Sequence, residues 1–224
     1  MRAPLYKAPP APAPLWSWTG CYIGAHGGYA WGQTKFTSNV NGSSGHDDLK
    51  GGLAGGQVGC NYQASAFVIG LEGDASWASL SGHNPVTLIN NSTNPPITIP
   101  GTMHTKVDAL GTIAARLGVA VDRTLLYAKG GGAFALDKHW SIRNDTGSTV
   151  RETDPYIRWG WMVGAGVEYA FTPNWSVKAE YNYLGLGKKS PEFCNSASVC
   201  SSTASIEQNI HVVKAGVNFR FGGR

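Results

Sequence analysis

The sequence predicts an all-β fold: an eight-stranded antiparallel up-and-down transmembrane β-barrel. Three observations carry that expectation. Short apolar runs alternate at period two, the connections between them are alternately short and long, and the composition is poor in charge and rich in glycine and aromatic residues. Of the 224 residues only 14% are charged, against about 25% in an ordinary soluble domain, whereas glycine reaches 30, Trp 8 and Tyr 9. With 42% hydrophobic residues, one domain of this length can bury a large surface. No run approaches the roughly 18 consecutive apolar residues of a membrane-spanning helix, so any crossing of a membrane must be made by strands.

The chain opens with a segment carrying Pro4, Pro9, Pro10, Pro12 and Pro14. It has no apolar h-region, so it does not read as a signal peptide, and export would require a leader that has been removed. Residues 1–17 are expected to form an extended, periplasmic tether outside the barrel. Strands are predicted over 18–32, 51–63, 67–81, 106–121, 124–140, 158–171, 175–186 and 207–221, with 222–224 as a short tail. The connections 64–66, 122–123 and 172–174 are short and carry the turn residues Asp122, Pro173 and Asn174. Those at 33–50, 82–105, 141–157 and 187–206 are long, and all fall at the opposite end. Bacterial outer-membrane barrels have short periplasmic turns, long external loops and an even strand number, so both termini are expected in the periplasm.

Sorting each run by parity separates two faces. The run 175–186 sets Trp175, Val177, Ala179, Tyr181 and Tyr183 against Ser176, Lys178, Glu180 and Asn182. The run 106–121 sets Val107, Ala109, Ile113, Ala115, Leu117 and Val119 against Lys106, Asp108, Thr112, Ala114 and Arg116. A lipocalin is also an eight-stranded barrel, but with an apolar interior. Here the apolar parity is expected to face outward. Trp159, Trp161, Tyr169, Phe171, Trp175, Tyr183, Phe219 and Phe221 lie near strand ends on that parity, as an interfacial aromatic girdle requires. Glycine favours the other parity, where a narrow interior leaves little room.

The polar parity holds both signs in near balance. Glu72, Asp74, Asp108, Glu168 and Glu180 face Lys106, Arg116, Lys129, Lys178, Lys214 and Arg220. Inside a narrow barrel these are expected to form an ion-pair network, because unpaired buried charges are costly. The expected lumen is therefore mostly closed, with a narrow porin-like channel and a soluble lipocalin-like binder as the alternatives.

The segments WTGCYIGAHGGYAWG (18–32), GGQVGCNYQ (55–63), GLEGDASW (70–77), GWMVGAGVEY (160–169), WSVKAEYNYL (175–184) and VKAGVNFRF (213–221) resemble the outer-membrane β-barrel family of alphaproteobacteria. That family includes surface antigens of Brucella and rhizobial outer-membrane proteins, and is distantly like the OmpA and OmpX barrels. The resemblance implies an outer-membrane location, insertion through the final strand, and a role in envelope integrity and surface exposure rather than catalysis. Such proteins usually end on an aromatic residue, whereas here Gly222, Gly223 and Arg224 follow Phe221.

Four cysteines in an exported chain point to disulfides. Cys194 and Cys200 would close a small ring in the last long connection. Cys21 and Cys60 fall nearly opposite each other on the first two strands, as a cross-strand disulfide or as two free apolar thiols. His46, Asp47 and Asp48 are the only cluster of potential metal ligands, without the spacing of a metal motif, and are expected to be a solvated loop. His211, with Ser205 and Glu207 nearby, has no spacing that supports a catalytic triad, and Gly130 to Gly132 lack the Lys and helix of a phosphate loop. No enzyme activity, metal or cofactor is expected. The formal charge of +4 is scattered, which argues against nucleic acid. The expected partners are outer-membrane lipid and lipopolysaccharide; neighbouring barrels or further copies of this chain, and host or phage surfaces, are candidates. The connection at 82–105, with Val86, Leu88, Ile89, Ile97 and Ile99, is read as a hairpin extension, a neighbour contact or a segment packed on itself.

Overall fold

The computed structural model describes residues 16–38, 44–90, 97–143, 149–152, 156–189, 193–194, 200–201 and 204–221, with side chains over 16–32, 49–82, 107–136, 157–187 and 209–221. Eight long strands make one antiparallel sheet: β1 (Gly20–Ser38), β2 (Ser44–Ala64), β3 (Phe67–Asn90), β4 (Ile97–Val121), β5 (Thr124–Arg143), β6 (Tyr156–Ala170), β7 (Trp175–Lys189) and β8 (Ala204–Phe221). Each strand pairs with its neighbours in the chain, and β1 pairs with β8 from Cys21↔Phe221 to Ser38↔Ala204, so the sheet closes into a barrel. Closure removes every long unpaired edge.

Parity decides which side chains go where. On β7, Trp175, Val177 and Tyr181 are exposed on the outer wall, while Ser176, Lys178, Glu180 and Asn182 are buried inside. Leu71, Ile113 and Leu117 are each more than 60% exposed, which for an apolar side chain makes sense only against hydrocarbon. The arrangement is the inverse of a lipocalin. At one end the strands are joined by two-residue turns at Ser65–Ala66 and Asp122–Arg123 and by a four-residue turn at 171–174. Ser65 (φ 57°) and Asp122 (φ 51°) adopt the left-handed conformation that such tight hairpins demand.

At the other end the strands run well past their expected limits. Pairing of β3 with β4 continues from Gly82↔Thr105 to Asn90↔Ile97, so most of the expected connection at 82–105 is a hairpin extension. Its Val, Ile and Thr residues are strand formers rather than contents of an irregular loop. The other long connections are shortened in the same way, and Thr149–Glu152 adds a short strand to β5. The face argument stops where the apolar stripe stops, but ladder hydrogen bonds continue for as long as two strands stay in register.

Two expectations need correction. Strand four is not of one parity throughout. Its register shifts against both neighbours around Asp108: against β5 between Val107 and Ala109, where Asp108 is the extra residue, and against β3 between Trp77 and Leu80, where the extra residue is on β3; Val107 turns inward there and is fully buried. Second, β1 starts at Gly20 rather than at residue 18. Gly20 has φ 137°, a conformation that side chains disfavour, and the chain turns there. Trp16 to Thr19 consequently cover the barrel mouth at the short-turn end instead of continuing a strand or trailing outside as part of a tether. Residues 1–15 and 222–224 lie outside the described residues.

Interior glycines let the wall close. A Cβ on inward Gly55 would meet the Ala75 carbonyl oxygen at 2.0 Å, whereas one on outward Gly132 would meet nothing within 4 Å. Gly55→Val is expected to abolish the compact form that migrates faster on denaturing gels before heating, and Gly132→Ala to retain it. A Gly55→Val variant that keeps the full mobility shift would contradict this packing.

Candidate functional site

The sheet directs one side chain in two from every strand into a space narrow enough that these side chains meet. Glu72 on β3 is the hub. Its carboxylate accepts hydrogen bonds from the Tyr22 hydroxyl (2.7 Å), Lys129 Nζ (2.7 Å), Lys178 Nζ (2.9 Å) and, at a longer 3.4 Å, Arg116 Nη1. Glu180 on β7 is a second hub, taking the Tyr127 hydroxyl (2.6 Å), Lys129 (2.9 Å) and Lys178 (3.0 Å), with Lys214 Nζ at 3.8 Å. Arg116 stands between Glu72 and Glu168. It donates to Glu168 at 2.8 Å and to the Tyr22 hydroxyl at 2.7 Å, and its guanidinium stacks 3.8 Å from the centre of the Tyr127 ring. Asp74 pairs with Lys214 at 3.0 Å and accepts from the Thr112 hydroxyl. Ser176 and Asn218 donate to the other oxygen of Glu168, Oε1, at 2.6 and 2.8 Å.

Of the charged residues expected in the lumen, Glu72, Asp74, Arg116, Lys129, Glu168, Lys178, Glu180 and Lys214 come together in this network. Arg220 is buried but does something else. It lies at the short-turn mouth, donates to the carbonyls of Ser17 (2.7 Å) and Thr19 (3.4 Å), and sits 4.9 and 5.0 Å from the ring centres of Trp16 and Trp18. Its charge is set against two indoles because the chain folds back there. Asp108 is half-buried at the bulge rather than in line with Arg116. The side chain of Lys106 lies outside the described residues.

Parity alone left other parts of the lumen unread. Arg158 is buried as deeply as Arg116. His26 contacts Gln57 and places Nε2 2.7 Å from the Ser76 hydroxyl, and Gln57 donates to Asn218 at 2.7 Å. These neutral groups extend the network toward β1 and β2. An aromatic and apolar layer seals the short-turn end: Trp18, wholly buried, packs with Val68, Leu125, Tyr127 and Ala170, and its backbone N–H donates to Gln63 at 2.6 Å. At the other end an apolar layer fills the barrel, with Leu49, Leu53, Leu80, Leu110, Met162, Leu184, Leu186, Ile210 and Val212 among its members. The signal for that layer is present, since each of these residues except Leu49, which falls in the predicted connection at 33–50, lies on the inward parity of a predicted strand, but sorting strands by their charges hides apolar residues on the charged side.

On the outer wall Trp159, Trp161, Tyr169, Phe171, Trp175, Phe219 and Phe221 are exposed and Tyr183 is half-buried against Trp161 and His211. Trp77, Tyr62, Phe67 and Tyr29 are exposed aromatic residues that the girdle expectation omitted. Cys21 and Cys60 are register partners joined by a disulfide. Cys194 and Cys200 face each other across the two-residue strands Phe193–Cys194 and Cys200–Ser201, and their side chains lie outside the described residues, as do those of His46, Asp47, Asp48, Ser205 and Glu207. No group of metal-ligating side chains occurs among the described residues.

A closed barrel with an apolar wall and a charged interior narrows the choice of relatives, and comparison with known proteins decides it. Residues 7–221 match the family described as outer membrane protein beta-barrel domain. The chain belongs to that family. This outer-membrane barrel is 35% identical over 221 residues to the 31 kDa outer-membrane immunogenic protein of Brucella melitensis biotype 1, covering 94% of this chain and 87% of the relative. It is 29% identical to the 25 kDa outer-membrane immunogenic protein of Brucella abortus biovar 1, over 97% and 88% of the two chains. Among solved structures, the outer membrane protease OmpT of Escherichia coli shares the fold with a TM-score of 0.52 at 12% identity, covering 90% of this chain and 97% of that one. OprG of Pseudomonas aeruginosa does so with a TM-score of 0.50 at 8% identity, over 93% and 99%.

In this outer-membrane barrel, removing one hub exposes the cost of the others. Glu72→Ala would leave Lys129, Lys178 and Arg116 buried with one acid fewer between them, and is expected to destabilise the barrel by about 3–5 kcal/mol. Urea titration of the protein folded in micelles measures this. A loss below about 1 kcal/mol would show that the hub carries no such burden.

Proposed function

We propose that this chain is a structural surface protein of the bacterial outer membrane, contributing to envelope integrity and surface contacts rather than catalysing a reaction. The short turns and both termini lie in the periplasm in this reading, and the long hairpins lie outside, following the asymmetry general to such barrels. The observation that carries the reading is the filling of the interior. Among the described residues, lumen-facing side chains from Trp18 through Ser176 and Asn218 to Leu80, Ala133 and Ile210 have no surface that water can reach. An eight-stranded barrel is just wide enough to be filled by its own side chains, whereas diffusion pores use about 16 to 18 strands.

A protein that crosses the membrane without a path through it acts by what it holds on either side. The long hairpins, paired far beyond the apolar wall, suit contacts with host or phage surfaces and with neighbouring barrels, in keeping with the immunogenic relatives in Brucella. His211, the one member of the His, Ser and Glu set weighed for catalysis whose side chain is described, faces outward among the rings of Trp31 and Tyr183, with Nδ1 2.7 Å from the Tyr181 hydroxyl.

Planar-bilayer recording tests the closed interior. The protein is expected to give no steady open level, and Glu72→Ala alone is expected to leave it silent, because the layers of Trp18 and of Leu80 still seal both ends. A stable conductance from the unaltered protein would overturn the reading in favour of a narrow channel.

A further inference from the structure

Among the described residues, the outer wall carries one grouping that hydrocarbon does not explain. Lys50 on β2, Trp31 on β1, His211 on β8 and Tyr183 on β7 are consecutive register partners, Lys50↔Trp31↔His211↔Tyr183, and therefore form one row across four adjacent strands. Lys50 and Trp31 are exposed, and His211 and Tyr183 partly so. The Trp31 and His211 rings stack at 5.7 Å and 11°, Tyr183 meets the imidazole edge-on at 5.2 Å, and Tyr29 stacks on Trp31 at 6.4 Å. The Tyr181 hydroxyl lies 2.7 Å from His211 Nδ1. When that hydroxyl donates, the imidazole proton sits on Nε2, where it can be offered to an acceptor.

The row also has a defined height. Trp31 is ten residues along β1 from Cys21, near the short-turn end, and at about 3.3 Å per residue on a tilted strand this is roughly 25 Å, the height of the apolar band of an outer-membrane barrel. Below it Val213 and Val217 continue an apolar wall. A lysine and an imidazole beside flat aromatic faces, set at the upper margin of hydrocarbon, complement a ligand with acyl chains, a sugar ring and a phosphate. The aromatic faces suit the C–H face of a sugar, and the two nitrogen donors suit the phosphate.

We propose that the Lys50, Trp31, His211 and Tyr183 row is a binding site for the phosphorylated disaccharide headgroup of a lipid A-type lipid in the outer leaflet. The site rests on the orientation given above, with the long hairpins outside. Lys50 and His211 hold a phosphate, the sugar lies against the exposed parts of the Trp31 and Tyr29 rings, and the acyl chains run down the wall past Val213.

Native mass spectrometry of the full chain released from micelles tests this, with diphosphoryl lipid A as the probe and phosphatidylglycerol as the anionic competitor. The unaltered protein is expected to retain one lipid A through the release, undisplaced by a tenfold excess of phosphatidylglycerol. Lys50→Met with His211→Phe keeps an apolar wall of similar size and is expected to weaken retention at least tenfold, while Leu117→Ala, on a remote part of the wall, leaves it unchanged. If the double variant loses its gel mobility shift, Lys50→Met alone takes its place, with at least a threefold loss expected. Equal retention in the variant, or phosphatidylglycerol displacing lipid A one for one, overturns the site. The assay reads neither conductance nor sidedness, so that failure would leave the closed barrel standing. Protease access to the hairpins on whole cells tests the orientation separately.

Discussion

The narrowness of a ring of eight strands is the constraint on which the rest depends. Once β1 has met β8, the interior has room for side chains and nothing else, and each strand must supply groups that satisfy those of the strands opposite. Carboxylates and ammonium groups can occupy that space only if they neutralise one another. Glu72 and Glu180 do so by sharing Lys129 and Lys178, with Arg116 linking Glu72 to Glu168. Burial alone would make such a cluster about neutral in stability relative to apolar packing. Its further consequence is selectivity. A one-residue slip of β7 would carry Lys178 and Glu180 to the lipid face, where a charge near the midplane costs up to about 2–4 kcal/mol, and would bring Val177 and Ala179 against the remaining ions.

The ionic layer is held between two layers that exclude water for different reasons. At the short-turn end the chain reaches back through Trp16 and Trp18, and Arg220 is held there by indole faces and backbone carbonyls. At the long-hairpin end Leu, Ile, Val and Met residues fill the barrel. Screening of the ion pairs by water is thereby prevented on both sides, which strengthens them and ties their stability to the seals. The outer wall has a simpler task, meeting hydrocarbon with aliphatic side chains and its margins with aromatic ones, and the row around His211 is the place where it departs from that pattern.

The strand count, the closure, the outward direction of the apolar parity and the pairing of Cys21 with Cys60 were legible in the sequence, because all follow from a period of two and from connections of alternating length. Val107 was misread, since a bulge leaves no mark in a pattern of alternation, and nothing at Asp108 distinguishes it from an ordinary inward acid. Parity predicts Arg220 as an ion-pair partner because it gives a face but not a height along the barrel, and its height places it beside Trp16 and Trp18. The apolar inner layer is hidden for a related reason: the inward face changes character along its length, from Glu180 to Leu184 on one strand, whereas alternation gives each face a single character. The lengths of the hairpins escaped because backbone pairing continues where the burial pattern has ended.

A double-mutant cycle between Glu72 and Lys129 tests the account most directly, using Glu72→Gln, Lys129→Met and the combination, each unfolded reversibly in micelles. If opposite charges compensate one another at the centre of the barrel, the double variant will be more stable than the sum of the single losses implies, by about 2–3 kcal/mol. Losses that add to within about 0.5 kcal/mol would contradict it, and would mean that the two groups are satisfied by something other than each other.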